Sequence, residues 1–244
     1  MKVELGKDER IEDLQCNGLK IIQNKNYYTF TSDSVVLANF INLKKNDRCV
    51  EIGAGCGVIS VLLSAKTNFD KIYAFEIQDE MAKLAEKNVI LNDLQDKISI
   101  ISDDVRNFKQ HLEAESFDVV FSNPPYMKSS TARNANPVRD MARHDASLPI
   151  NDLCKTAYSM LKFNGRFFVV YTATRTAELI YTLIENNLEP KRMFFTENGK
   201  GKVILVVIEA VKGGRAGVEV LPHLETNDID GKYINILHTR YFGR

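Results

Sequence analysis

The chain has 244 residues, 44% of them hydrophobic and 26% charged, the balance of a soluble globular protein with a substantial core. Its 32 basic and 32 acidic residues cancel, so no global field recruits nucleic acid or anionic membrane, and any polyanion site must be a local patch. The start, "MKVELGKDER", has no apolar core of a leader and nothing later is apolar enough to span a bilayer; the four cysteines (Cys16, Cys49, Cys56, Cys154) lack zinc-ligand spacing, so a cytoplasmic protein with reduced thiols and no metal is expected.

Residues 1–30 read as a hairpin extension, with Asn17-Gly18 at the turn of "DLQCNGLKIIQ". "TSDSVVLANFINL" follows as a helix capped by Thr31 or Ser32. From about residue 46, short apolar runs alternate with helical periodicity. The runs "RCVEIG" (48–53), "KIYAFEI" (71–77), "ISII" (98–101), "FDVVFS" (117–122) and "RFFVVYT" (166–172) are too uniformly apolar to have a wet face, which suits a parallel sheet covered on both sides. Met81, Leu84, Ala85 and Val89 line one face of a helix over 79–92. Two more helices are expected, one from an Asn151 cap to Gly165 and one over 172–187. "KRMFFTE" and "KVILVVIEAV", joined through "NGKG", make the last strands antiparallel. The pattern is α/β: a doubly wound, mostly parallel sheet in one domain over 31–212, with 213–244 as an elaboration packed on it.

Four features fall at the ends of the first four strands, the edge that lines the ligand crevice of such a sheet. The first is "VEIGAGCGVIS", where Glu51 precedes Gly53 and Gly55; glycines there let backbone turn sharply and approach a ligand. Glu76 ends the second strand 23 residues after Gly53, the interval at which a carboxylate reaches ribose hydroxyls. Asp103 and Asp104 follow the third strand. Asp104 is the better acceptor for an adenine amino group, and Asp103 the candidate cap of the next helix. The fourth feature is Asn123-Pro124-Pro125-Tyr126. Two prolines stop the strand and stiffen a tip that presents an amide, carbonyls and an aromatic ring.

This ordered set resembles the Rossmann-like, class I S-adenosylmethionine-dependent methyltransferases, over roughly residues 30–210. The resemblance implies a seven-stranded sheet with an antiparallel last strand and S-adenosyl-L-methionine as cofactor. It places Glu51, Gly53 and Gly55 against the methionine part, Glu76 on the ribose and Asp104 on the adenine. NPPY is the signature of members that methylate a planar, conjugated nitrogen. There the Asn123 side-chain oxygen and the Pro124 carbonyl would accept the two amine hydrogens, stabilising positive charge as it develops. Tyr126 would stack on the target ring.

"FTSDSVVLANF" (30–40), "ARHDASLPINDL" (142–153) and "GGRAGVEVLPHLETNDIDGKYINI" (213–236) sharpen the likeness to the tRNA(Val) adenine-N6 methyltransferases, which act on adenine 37 of the anticodon loop. That family pattern makes Asp33 part of a lid over the cofactor. An RNA substrate, tRNA first, needs basic contacts, and Lys128, Arg133, Arg139 and Arg143 are the candidates in the long polar segment after the tip. Methylation of guanine N2 in ribosomal RNA or of a protein glutamine uses the same tetrapeptide, and a non-catalytic cofactor-binding protein is the alternative from another class. A nicotinamide-dependent dehydrogenase would leave NPPY unexplained. Oligomeric state, monomer or weak dimer, is open.

Overall fold

The structure is a computed structural model that describes residues 3–27, 29–126, 148–198 and 201–226. Strands β1 (Glu9–Asp13) and β2 (Lys20–Asn24) pair antiparallel. Their turn is the expected one: Asn17 (φ 50°) and Gly18 (φ 72°) are both left-handed, and the Leu19 N–H donates to the Cys16 carbonyl at 2.9 Å. Asn-Gly tolerates that conformation best. Helix α1 (Ser32–Phe40) follows, with Thr31 at the N-cap position but without a side-chain cap bond.

Then come β3 (Arg48–Ile52), α2 (Val58–Lys66), β4 (Lys71–Glu76), α3 (Asp79–Leu91), β5 (Ile98–Ser102), a 3-10 turn (Val105–Gln110) and β6 (Phe117–Ser122). After them lie α4 (Ile150–Met160), β7 (Leu161–Thr172), α5 (Thr176–Glu185), β8 (Leu188–Asn198) and β9 (Val203–Lys212). The order across the sheet is β5-β4-β3-β6-β7-β9-β8, with β9 antiparallel to both neighbours and the other pairs parallel. This is the expected seven-stranded arrangement. The tail adds two short strands to the far side of β8, β10 (Glu219–Val220) and β11 (Leu224–Thr226), both parallel to it. Runs of two and three residues are too short to carry a period-two signal.

The apolar runs are buried on both faces, alternating residue by residue. Cys49, Val119, Phe121 and Phe168 pack with α1, α2 and α3, whereas Val50, Val120, Phe167 and Val169 pack with α4 and α5. The α3 stripe behaves as read, with Met81, Leu84, Ala85 and Val89 all buried. One helix differs from its reading. The helix expected over 151–165 begins after Pro149, not at an Asn151 cap, and ends at Met160. Leu161–Gly165 belongs to β7, where the ladder jumps from Phe117↔Leu161 to Val119↔Arg166. Asn164 is left-handed (φ 63°) there, and a Cβ on Gly165 would lie 2.9 Å from the Lys162 carbonyl oxygen. Asn-Gly makes a bulge inside a strand rather than a helix stop.

The hairpin is held to the domain by asparagine amides. Asn88 on α3, fully buried, accepts from the Ile22 N–H (2.6 Å) and donates to the carbonyls of Ile22 (3.1 Å) and Cys56 (2.9 Å). Asn92, one turn on, repeats the two-way bond with Lys20 (2.9 and 2.8 Å). Asn88→Leu would strand three buried backbone groups at once. A loss of roughly 2–4 kcal/mol is expected in urea unfolding, with the proteolytic susceptibility of the hairpin rising; unchanged stability would refute the tether.

Candidate active site

The sheet's strand order reverses between β3 and β6, and the loops after these strands lie side by side. The Ser122 hydroxyl, completely buried, donates to the Ile52 carbonyl at 2.8 Å and locks the two strand ends together. At this switch point is an open cavity, at the place where ligands bind in open α/β sheets. Its walls come from the glycine loop, the tips of β4 and β5, the tip of β6 and the start of α1.

The glycine loop is shaped by its backbone. Gly53 (φ 75°) and Gly55 (φ 56°) are left-handed, where other residues are strained. A Cβ on Gly53 would project into space with no neighbour within 4 Å, so a side chain there would occupy the cavity. The N–H groups of Gly53 and Ala54 both donate to the Phe75 carbonyl (2.9 and 2.8 Å), and that of Gly55 donates to the Glu76 carboxylate at 2.8 Å. The other Glu76 oxygen accepts from the Gln78 N–H at 2.9 Å. Glu76 thus fastens the loop to the tip of β4. Directly after it, Ile77 is 46% exposed on the cavity wall, an apolar face suited to a flat ring.

At the β5 tip both aspartates line the cavity, with cap roles opposite to those expected. Asp104 is the N-cap of the 3-10 turn, accepting from the Arg106 N–H at 2.9 Å. Asp103 accepts from Asn107 (3.1 Å) and meets His111 Nε2 (2.7 Å). The sequence could not order them, because either residue can cap when they are adjacent. The Arg106 guanidinium against Asp104 holds that carboxyl below its usual range.

At the β6 tip, Asn123 and Pro125 line the cavity and Pro124 is buried behind them. The Asn123 side-chain amide donates to the Ser34 hydroxyl at 3.0 Å. The Tyr126 hydroxyl donates to the Asp33 carboxylate, its ring stands edge-on to Tyr171 (6.0 Å between centroids), and its carbonyl accepts from Arg175 at 3.2 Å.

Gly53, Gly55, Glu76, Asp104 and Asn123 therefore converge on one cavity, whereas Asp33, Glu51, Pro124 and Tyr126 are not on its wall. Glu51 is fully buried and accepts a short hydrogen bond from Ser60. Burial pushes its carboxyl up to about 8, bonding from Ser60 opposes that, and the nearby Glu76 charge adds to it. Glu76 is itself raised by burial. Lys128, Arg133, Arg139 and Arg143 lie outside the described residues. Sequence reasoning missed Ser34, Phe30, Ile77, Val105 and Leu148 on the wall and Arg175 behind the tip. An apolar residue directly after a strand-end acid was a usable signal for Ile77. Ser34 had none, since its contact spans 89 positions.

A family model described as the methyltransferase small domain matches residues 29–199. The chain is 30% identical over 187 residues to a tRNA1(Val) (adenine(37)-N6)-methyltransferase of Bacteroides thetaiotaomicron, covering 70% of this chain and 77% of that one. A protein of the same name from Haemophilus influenzae is 26% identical over 197 residues, covering 76% and 84%. Among solved structures, a predicted O-methyltransferase of Agrobacterium tumefaciens superposes with a TM-score of 0.65 at 19% identity, over 84% of this chain and 96% of that one. The tRNA m1G37 methyltransferase of M. jannaschii gives 0.57 at 16% identity, over 87% and 59%. At these identities the structures speak for the fold alone.

Glu51 makes stability pH-dependent in a defined direction. Its folded pKa of about 8 lies above the ordinary 4.5, so between those values the folded protein holds a proton that unfolding releases. Stability should fall as pH rises through that window, by up to about 1.4 kcal/mol per unit. Glu51→Gln removes this titration, so its stability relative to the parent should climb from pH 5 to pH 8 in urea unfolding. A difference that does not vary with pH would refute an ionisable buried Glu51.

Proposed function

Because the chain belongs to the methyltransferase small-domain family, and within it to the tRNA1(Val) (adenine(37)-N6)-methyltransferases, we propose that it methylates the exocyclic N6 amine of an adenine in tRNA. The substrate in this reading is adenine 37 of tRNA(Val), and the methyl donor is S-adenosyl-L-methionine. The observation that carries it is the convergence of the glycine loop, Glu76, Asp104 and Asn123 on one cavity at the switch point.

The residues present fit that cofactor. Open space at Gly53 leaves the loop backbone bare for close contact, two acidic side chains (Glu76 and Asp104) suit hydroxyl and amino donors, and Ile77 offers an apolar face to a ring. When bound, the cofactor supplies an electrophilic methyl group on a sulfonium. Gly53 and Gly55 hold its methionine end, Glu76 its ribose and Asp104 its adenine. Glu51 acts from behind the loop.

The target amine is a poor nucleophile, because its lone pair is delocalised into the ring. Asn123 meets this with an acceptor: one of its two amide N–H groups donates to Ser34, which anchors the nitrogen end there and leaves the carbonyl end to accept an amine hydrogen. The Pro124 carbonyl accepts the second. Both reward the transition state more than the ground state, since positive charge grows on the nitrogen during transfer. Two prolines and the ties on Tyr126 keep these acceptors from relaxing away. No strong general base is needed, as the methylated nitrogen can lose its proton afterwards. The base must leave its stack to reach the cavity, which an anticodon loop permits. Lys128, Arg133, Arg139 and Arg143 take phosphates in this reading. Leu148, the first described residue after the segment carrying them, lies on the cavity wall.

The test offers methyl-labelled cofactor with bulk tRNA, ribosomal RNA, duplex DNA and a translation release factor, read by nucleoside and peptide mass spectrometry. N6-methyladenosine in tRNA is expected, reduced by about 100-fold or more in Asn123→Ala. Label in guanine or glutamine would keep the mechanism and overturn the substrate. No transfer with cofactor still bound would favour the non-catalytic reading.

A further inference from the structure

The Asn123 amide can turn about a torsion with a broad energy profile, presenting either its oxygen or its nitrogen to the cavity. Only the oxygen serves catalysis; an amide N–H facing an amine hydrogen would repel it. Something outside the tetrapeptide must therefore choose. The tip's other end has the same need, because Tyr126 is only partly buried and its ring must hold one attitude.

Both ends are met by consecutive residues of a single helical turn. Ser34, buried (6% exposed), takes the Asn123 amide N–H at 3.0 Å. Asp33, also buried (7% exposed), takes the Tyr126 hydroxyl and is itself steadied by the Ser32 hydroxyl at 3.2 Å. The turn is a firm base. Phe40 at the far end of α1 packs against Phe168 (5.8 Å) and Phe194 (5.1 Å), and Asn39 is bonded by Lys66 of α2. The helix that grips the tip is thus fixed to the same sheet that carries it.

We propose that Ser34 and Asp33 are positioning residues for the methyl transfer: Ser34, by accepting from the Asn123 amide nitrogen, holds the Asn123 oxygen toward the substrate amine, and Asp33 sets the attitude of Tyr126. Asp33 in this role acts on the catalytic tip, not on the cofactor. The proposal rests on the reading of Asn123 as the acceptor for the amine. It gives the turn before the glycine loop a function in the chemical step. It also divides the work between neighbours, Ser34 governing catalysis and Asp33 governing how the base is held.

The test compares the full-length protein with Ser34→Ala, Ser34→Thr, Asp33→Asn and Asn123→Ala, plus Ser34→Ala combined with Asn123→Ala. Ser34→Ala should lower kcat about tenfold with cofactor Kd and tRNA KM within about twofold. Ser34→Thr, which keeps the hydroxyl, should recover most of it, and the double variant should be no slower than Asn123→Ala alone. Asp33→Asn should instead raise the KM for tRNA by about threefold to tenfold, leaving cofactor Kd within about twofold. A parallel rise in cofactor Kd with either change, or additive losses in the double variant, would overturn the proposal. A second readout needs no turnover: hydrogen exchange of the Asn123 side-chain amide, followed by NMR, should be slow in the parent and fast in Ser34→Ala. Equal exchange rates in the two would sink the positioning role whatever the substrate. Slow exchange in a parent that methylates no adenine would sink the substrate reading and leave the contact standing.

Discussion

The parallel pairing of β3 with β6 is the constraint on which the site depends. These strands are far apart in sequence, yet Ile52 stands opposite Ser122 and its carbonyl accepts a hydrogen bond from the Ser122 hydroxyl. Because strand order reverses there, the two loops leave the sheet with no helix between them, and a crevice opens. One loop is glycine-rich and suits close approach; the other is stiffened by prolines and suits a fixed array of acceptors. A one-residue slip of the ladder would send each strand's alternating residues to the wrong face, since Cys49 and Val50, like Val119 and Val120, belong to opposite cores. The packing of both faces is therefore what protects the geometry of the site.

Around the crevice, buried polar groups are used as fasteners. Asn88 joins three parts of the chain at one buried point: the N-terminal hairpin, α3 and the carbonyl of Cys56 in the glycine loop. Glu76 ties that loop to β4 through two backbone N–H groups. Glu51 lies deeper, held by Ser60 and raised by its burial. Such groups are costly to bury and costlier to leave unpaired, so they specify one loop conformation more sharply than apolar packing does. All four cysteine side chains are buried and none forms a disulfide; burial raises the thiols, Cys56 to about 12.

For a methyltransferase of this family, the consequence is a tip prepared before substrate arrives. Tyr126 is held at its hydroxyl by α1 and at its carbonyl by the turn after β7, where Arg175 also stacks over Tyr171 at 5.0 Å. The acceptors are thus supported from the element that precedes the glycine loop and from the one that follows β7. Preorganisation of this kind keeps reorganisation out of the chemical step.

Much of this was legible in the chain alone. Uniformly apolar runs separated by helical stripes required a parallel sheet covered on both faces, and Asn17-Gly18 dictated its hairpin turn, because these are properties of neighbours in sequence. The glycine loop, Glu76 and Asn123 were legible for a similar reason: each is a local device at a strand end, and strand ends in such a sheet meet at one edge. What tertiary structure alone decided were the partners made across the fold. Nothing near Ser34 marks it as a contact of Asn123, and Asp33 and Glu51 differ from a wall residue only in where the folded backbone points them. The Asn164-Gly165 bulge read as a helix stop because the same dipeptide serves both, and the choice is made by the ladder with β6. Local chemistry follows from local sequence, whereas the orientation of a side chain belongs to whichever element packs against it.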